Sequence, residues 1–206
     1  MAVTKIKGTS SFTNLTKYDS FLAGNNINDY ESIATTTVGA GGAATVTFSS
    51  IPSTYQHLQI RGLGQSSRAT FGFDDVILRF NGDTGTNYAR HYLGGSGSAA
   101  YSGAANTPSS YIYTDSIIGS STAGTSFFGG FVMDILDYAS TNKNKTVRTL
   151  GGTDLNGTVG GEGGRITLNS GLWFATPAAI TSVVLSTASG TNFNQYSSFA
   201  LYGIRG

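Results

Sequence analysis

At 206 residues the chain is long enough for one large β domain or two small ones, and folding buries roughly 70% of the surface an unfolded chain of this size exposes. It holds no cysteine, which removes disulfides, thiolate metal sites and a cysteine nucleophile together. Charged residues make up 11% and the formal net charge is +1, so there is no basic stripe for nucleic acid.

The 29 glycines against 3 prolines, with many Ser, Thr and Asn, predict frequent turns and few helices. Aromatics at 12% recur along the chain, which separates it from a disordered polar segment. No run approaches the ~20 apolar residues of a membrane helix, and MAVTKIKGTS lacks an apolar stretch behind its lysines, so neither membrane insertion nor Sec-type export is expected.

Residues 1–30 read differently from the rest. Phe12, Leu15, Tyr18, Phe21 and Leu22 recur at helical spacing, Ser10 or Ser11 is placed to cap the start, and Gly24-Asn25 to end it. The spacing predicts a short amphipathic helix that needs a surface to lie on, because Thr and Asn are poor helix formers. These five apolar residues are the candidates for docking.

Residues 31–206 read as a β head. Ser32 to Val38 and Ala44 to Ser49 alternate on either side of VGAGGAA, a hairpin signal. HLQIRGL and DVILRFNG follow, then the turn NGDTGTN leads into YARHYL. Residues Gly94 to Ser110 form the longest low-complexity stretch, expected as a long loop. Strands resume in SYIYTDSII, FFGGFVMDILDYA, TVRTLGG, RITLNSGLWFAT, ITSVVLSTA and FALYGIRG.

Short strands at regular spacing predict an all-β antiparallel sandwich, in jelly-roll form, with a barrel as the alternative. FVMDIL and SVVL are apolar on both faces, which predicts central strands or a subunit interface. FALYGIRG has the same character, so Phe199 and Leu201 are expected to face one layer and Tyr202 and Ile204 the other.

Catalytic constellations are sparse. His57 and His91 sit on strands beside arginines with no partner named by the sequence. Asp134 and Asp137 are three apart, and Asp74 and Asp75 adjacent, so each pair points apart on an extended chain. NGDTGTN lacks the spaced carboxylates of a calcium loop, and GGTDLNGTVGGEGG lacks the lysine and helix of a phosphate cradle. No metal or cofactor is expected, and no enzymatic role.

Binding is harder to exclude. Tyr88, Tyr92 and Tyr101, with Tyr111 and Tyr113, flank or lie in the Gly94 to Ser110 stretch, and Trp173 is the single tryptophan. Exposed aromatic rings beside amides and carboxylates suit sugars, so Tyr88, Tyr92, Tyr101 and Trp173 are the candidate ligand residues, against the alternative of a core ring at a strand end for Trp173 and half-buried packing for the tyrosines.

Several stretches carry a resemblance together: KYDSFLAGN, YESIATTTVGAGGAATVTFSSIPSTYQHLQIRG, LRFNGDTGTNYARHYL, DILDYASTNKNKTVR, SGLWFATPAAITSV and FALYGIRG. They resemble a group of small virion proteins of tailed bacteriophages, described as tail-fibre-like or structural, over nearly the whole chain. The resemblance implies an N-terminal segment that docks on other virion proteins, an all-β head, commonly a homotrimer, and a place in a particle assembled in the bacterial cytoplasm. Two roles follow as expectations. One is a tail-fibre or baseplate-associated protein contacting a host surface glycan, and the other is a capsid decoration protein.

Overall fold

From Tyr30 onward the alternating runs form strands, and a computed structural model describes residues 29–105, 108–159 and 162–206. The expected docking residues Phe12, Leu15, Tyr18, Phe21 and Leu22, and the helix that would carry them, lie outside the described residues. The strands are β1 (Tyr30–Thr37), β2 (Thr45–Phe48), β3 (His57–Ser66), β4 (Phe73–Phe80), β5 (Tyr88–Gly95) and β6 (Ala100–Ala104). They continue as β7 (Ile112–Ser120), β8 (Gly129–Leu136), β9 (Lys145–Val159), β10 (Glu162–Trp173), β11 (Val183–Thr187) and β12 (Ser198–Ile204). A single 3-10 turn, Ser121–Ala123, is the only helical piece among the described residues, none of which forms a helix long and apolar enough to cross a membrane.

The strands pair in two runs. One has the order β1-β12-β3-β8-β9-β10-β5-β6 and the other β2-β11-β4-β7, with every pairing inside each run antiparallel. They join where Gln65 and Ser66, at the end of β3, lie parallel to Gly119 and Ser120 of β7. The result is a mixed, open sheet that does not close into a barrel. The pairings nest in chain order: β1 with β12, β2 with β11, β3 with β8 and β4 with β7. Two further hairpins, β5–β6 and β9–β10, extend the longer run alone.

Alternation decides what is buried. Leu58, Ile60, Met133, Ile135, Val147, Phe199 and Leu201 project inward from the longer run, and Val46, Phe48, Val76, Leu78, Phe80, Val183 and Leu185 from the shorter one, into one core. Each fully buried aliphatic or aromatic side chain there contributes about 1.5–3 kcal/mol relative to exposure. Beyond β8 the longer run outgrows its cover, and β7 is the strand of the shorter run that packs across β9, β10 and β5.

Several sequence expectations need correction. VGAGGAA does not close a hairpin: β1 pairs with β12 and β2 with β11, so the segment carries the chain from one run to the other. NGDTGTN does form the tight turn its Asn-Gly implies, with Asn81 and Gly82 at φ 51° and 69° and Asp83 N donating to Phe80 O. The strands it connects are not neighbours, however, because β4 pairs with β11 and β7 while β5 pairs with β10 and β6.

The Gly94 to Ser110 stretch is not one loop, since Ala100–Ala104 turns back as β6 against β5. β8 has one covered face, with Val132 and Gly130 on the open side, rather than two. β12 behaves as the sequence indicates: it lies between β1 and β3 with Phe199 and Leu201 fully buried, while Tyr202 and Ile204 are half-buried on the other face.

Candidate binding site

Tyr88 and Trp173 are not surface platforms. Both are buried at the root of the β5–β10 pair, where the Trp173 ring lies 5.6 Å from that of Phe80 and 6.4 Å from that of Tyr88. Their polar ends are used internally: Tyr88 Oη accepts from Phe80 N and donates to Asp83 O, and Trp173 Nε1 donates to Asp83 Oδ2 at 2.7 Å. Burial opposes ionisation of Asp83, but hydrogen bonds from Trp173, Asn87 and Gly85 N outweigh it and hold its carboxyl below the usual range.

Tyr92 and Tyr101 are half-buried and lie flat across the β5–β6 ladder. Tyr101 stands opposite Gly94 and Tyr92 opposite Gly103, and each ring occupies the space that a side chain at the facing glycine would need. A Cβ at Gly94 would meet the Tyr101 ring at 2.6 Å, and one at Gly103 would meet Tyr92 Oη at 2.7 Å. Gly94 and Gly103 are therefore seats for tyrosine rings, a packing role, while Gly97, at φ 81° with open space around it, serves the β5–β6 turn.

The polar centre of the region is a clamp between the two runs. In the β4–β7 pair, β4 advances two residues from Asp75 to Ile77 while β7 advances four, from Ile117 back to Tyr113. This bulge puts Asp115 at φ 46° and turns its carboxylate toward the longer run. Arg90 Nη1 donates to Asp115 Oδ1 and Oδ2, each at 2.5 Å, and Asn169 Nδ2 donates to Oδ2 at 2.5 Å. The Thr167 hydroxyl donates to Asp115 O.

The Arg90 guanidinium is also held between two rings, 4.7 Å from the centre of Tyr92 and 4.5 Å from that of Tyr113. Nearby, burial pushes the Asp75 carboxyl up to about 7, with the Asp115 and Asp74 carboxylates adding to the shift against the pull of Arg90 and Arg165.

At the edge of this clamp lies a cleft of about 270 Å³ bounded by Arg90, Tyr111, Tyr113, Pro108 and Ser109. The Tyr111 and Tyr113 rings meet edge to face at 5.2 Å, and Arg79 lies over Tyr111 at 5.3 Å while donating to Ser110 O. The cleft is at the small end of ligand sites, and its aromatic faces, guanidinium and hydroxyl suit a small polyol ring. The two tyrosines that line it were legible only as flanking residues. Their spacing with Asp115 in YIYTD, every second position from the residue before β7 into the strand, is the signal that groups them.

The carboxylate pairs stay apart. Asp74 accepts from Ser189 N and Gly190 N and so ties down the loop after β11, while Asp75 faces the clamp. Asp134 accepts from Gln59 Nε2, and Asp137, beyond the strand end, accepts from Lys143 and Gln56. His57 Nδ1 accepts from Asp137 N at 3.0 Å, a turn anchor, and His91 is exposed on the open face. No group of three His, Cys, Asp or Glu placed to hold a metal occurs among the described residues.

A second surface stands out on the open face of the longer run. Register sets Leu93, Leu168, Leu150 and Val132 side by side across β5, β10, β9 and β8. The next row holds Ile166 and Leu63, separated by Gly152 and Gly130. All six large side chains are exposed. No protein-family model matches the chain, and no curated protein matches it.

Proposed function

We propose that the chain is a non-enzymatic virion structural protein, a tail-fibre or baseplate-associated head that contacts a sugar of the host surface through the Tyr111–Tyr113 cleft. The observation that carries this reading is the clamp itself. A bulge in β7 fixes Asp115, Asp115 and two rings fix Arg90, and β5 and β7 form one side of a cleft whose other side is the β6–β7 connection at Pro108, Ser109 and Tyr111. The nested pairing of β1–β4 with β12, β11, β8 and β7 supports a jelly-roll head in which β5–β6 and β9–β10 are additions to one sheet. Attachment to the particle falls to residues 1–30, and a homotrimer is the expected assembly.

The test is binding of the purified protein to cells of a permissive bacterium and to their isolated surface polysaccharide. Tyr111→Ala should lower the affinity at least tenfold with little change in melting temperature. Absence of binding by the unmodified protein overturns the reading.

Capsid decoration is the second reading, favoured by the exposed aliphatic rows on the open face, which suit a module packed against a shell. It requires a copy number that follows capsid geometry, and a small number confined to the tail excludes it.

A further inference from the structure

Register divides the open face of the longer run into parallel rows that cross its strands. One row is wet: His91, Ser170, Arg148, Asp134, Gln59 and Tyr202 stand side by side across β5, β10, β9, β8, β3 and β12. The next is a ridge of Leu93, Leu168, Leu150 and Val132, between 36% and 57% exposed, with Arg61 at its end. The third is a shallow trough of about 870 Å³, in which Gly95, Gly152 and Gly130 leave empty positions beside Ile166 and Leu63.

We infer that this face pairs with the same face of a second copy of the chain, about a two-fold axis that runs between the ridge and the trough. Rotation about such an axis keeps each strand over its own counterpart and exchanges the two rows. The partner's Leu150 then lies over Gly152, the partner's Val132 over Gly130 and the partner's Leu93 over Gly95. Large side chains meet empty positions, in both directions at once. The strands of the two sheets stay aligned, as in face-to-face packing about 10 Å apart.

Charge follows the same rotation. The wet row lands on the row beyond the trough, where Asp154 of β9 stands opposite Gly164 of β10. Arg148 of each copy is thereby brought over the partner's Asp154, and both residues are exposed within the single chain. Ridge and trough form an apolar centre and the charges a rim, which is the anatomy of a protein interface.

Area is sufficient as well. Four rows across β5, β10, β9, β8 and β3 cover about 27 Å by 24 Å, on the order of 650 Å² in projection. The relief of the ridge raises the accessible area toward the ~800 Å² that each partner of a stable pair contributes.

The test is sedimentation of the full-length protein at micromolar concentration. It should run as dimers, or as paired trimers where a three-fold contact through other surfaces also forms. Gly130→Arg fills a seat that is open in the single chain, where a Cβ would meet only Gly62 O at 3.9 Å. This variant should lose the pairing while its far-ultraviolet spectrum stays that of the unmodified protein. Arg148→Asp and Asp154→Arg should each weaken pairing about tenfold. Both substitutions in one chain should restore it, because every contact joins position 148 of one copy to position 154 of the other. Within one chain the two positions are about 20 Å apart along β9, so the rescue has no source inside the single chain.

A protein that sediments as a monomer, leaving the rows to another virion protein, overturns the inference. Trimers alone do so too, as does a double variant that pairs no more tightly than either single one. These outcomes leave the sugar-binding reading untouched, because the cleft is on the other face of the sheet. Success would instead remove the observation behind the decoration reading, since a second copy would already cover the aliphatic rows.

Discussion

Trp173 Nε1 donates to Asp83 Oδ2 at 2.7 Å, and this bond ties the turn after β4 to the last residue of β10. Asp83→Ala removes it together with the bonds from Asn87 and Gly85, and should cost about 2 kcal/mol, or roughly 4–8 °C in melting temperature. Trp173 fluorescence should shift as the indole loses its partner. The pH dependence follows from the depressed carboxyl: its contribution is present above the unfolded value near 3.8 and lost as pH falls through the lower folded value. Melting curves in acid should therefore lose this part of their slope in Asp83→Ala.

Asp75 behaves in the opposite sense. With its carboxyl pushed from 3.8 up to about 7, its contribution is fully present below pH 3.8 and lost as pH rises through about 7. Asp75→Asn keeps the shape and removes the titration. The variant should match the unmodified protein near pH 4 and exceed it above pH 7, by on the order of a few kcal/mol. Denaturant titrations at the two pH values measure the difference, and equal stability at both ends would show that the carboxyl ionises freely.

Gly119 sits where the two runs meet, facing Gln65 of β3 and Phe73 of β4. A Cβ there would stand 2.0 Å from Phe127 O, a backbone atom with no rotamer to offer. Gly119→Ala should destabilise by about 3 kcal/mol. Gly39→Ala, in open space, should be nearly neutral and serves as the control for thermal denaturation.

Removing Phe199 to Gly206 deletes the strand between β1 and β3 and takes two fully buried side chains out of the core. No soluble folded product is expected. A monodisperse, cooperatively melting truncation would show that β1 can pair with β3 directly.

The fold was legible where alternation was one-sided. In TVTF, HLQI and SFALYGI every second residue is buried, so period-two patterning located both strand and face. Pairing was not legible, because VGAGGAA has turn chemistry whether the flanking strands are neighbours or lie in different runs. The both-face apolarity of FVMDIL was read as double cover or a subunit interface; within the chain only one face is covered, and Val132 belongs to the open aliphatic rows.

At the candidate site, Tyr88 and Trp173 were marked by type and are core, which for Trp173 is the strand-end core reading that its position also offered, since a ring's exposure depends on what packs over it. Tyr92 and Tyr101 were placed correctly beside the stretch after β5, yet their glycine seats are a cross-strand relation that no local spacing reveals. Asp115 was invisible for the same reason: its carboxylate is aimed by a bulge that exists only once β4 is alongside.

The two extra hairpins divide the molecule into a frame and a cantilever. β5–β6 and β9–β10 are anchored at one end by Tyr88, Trp173 and Lys145, all buried, and extend toward Gly95, Ala100 and the far ends of β9 and β10 with only β7 of the shorter run across them. Changes near the anchored end disturb the frame. Changes toward the tip alter length and surface chemistry while the nested strands keep their register, so variation has room to accumulate there without refolding the rest.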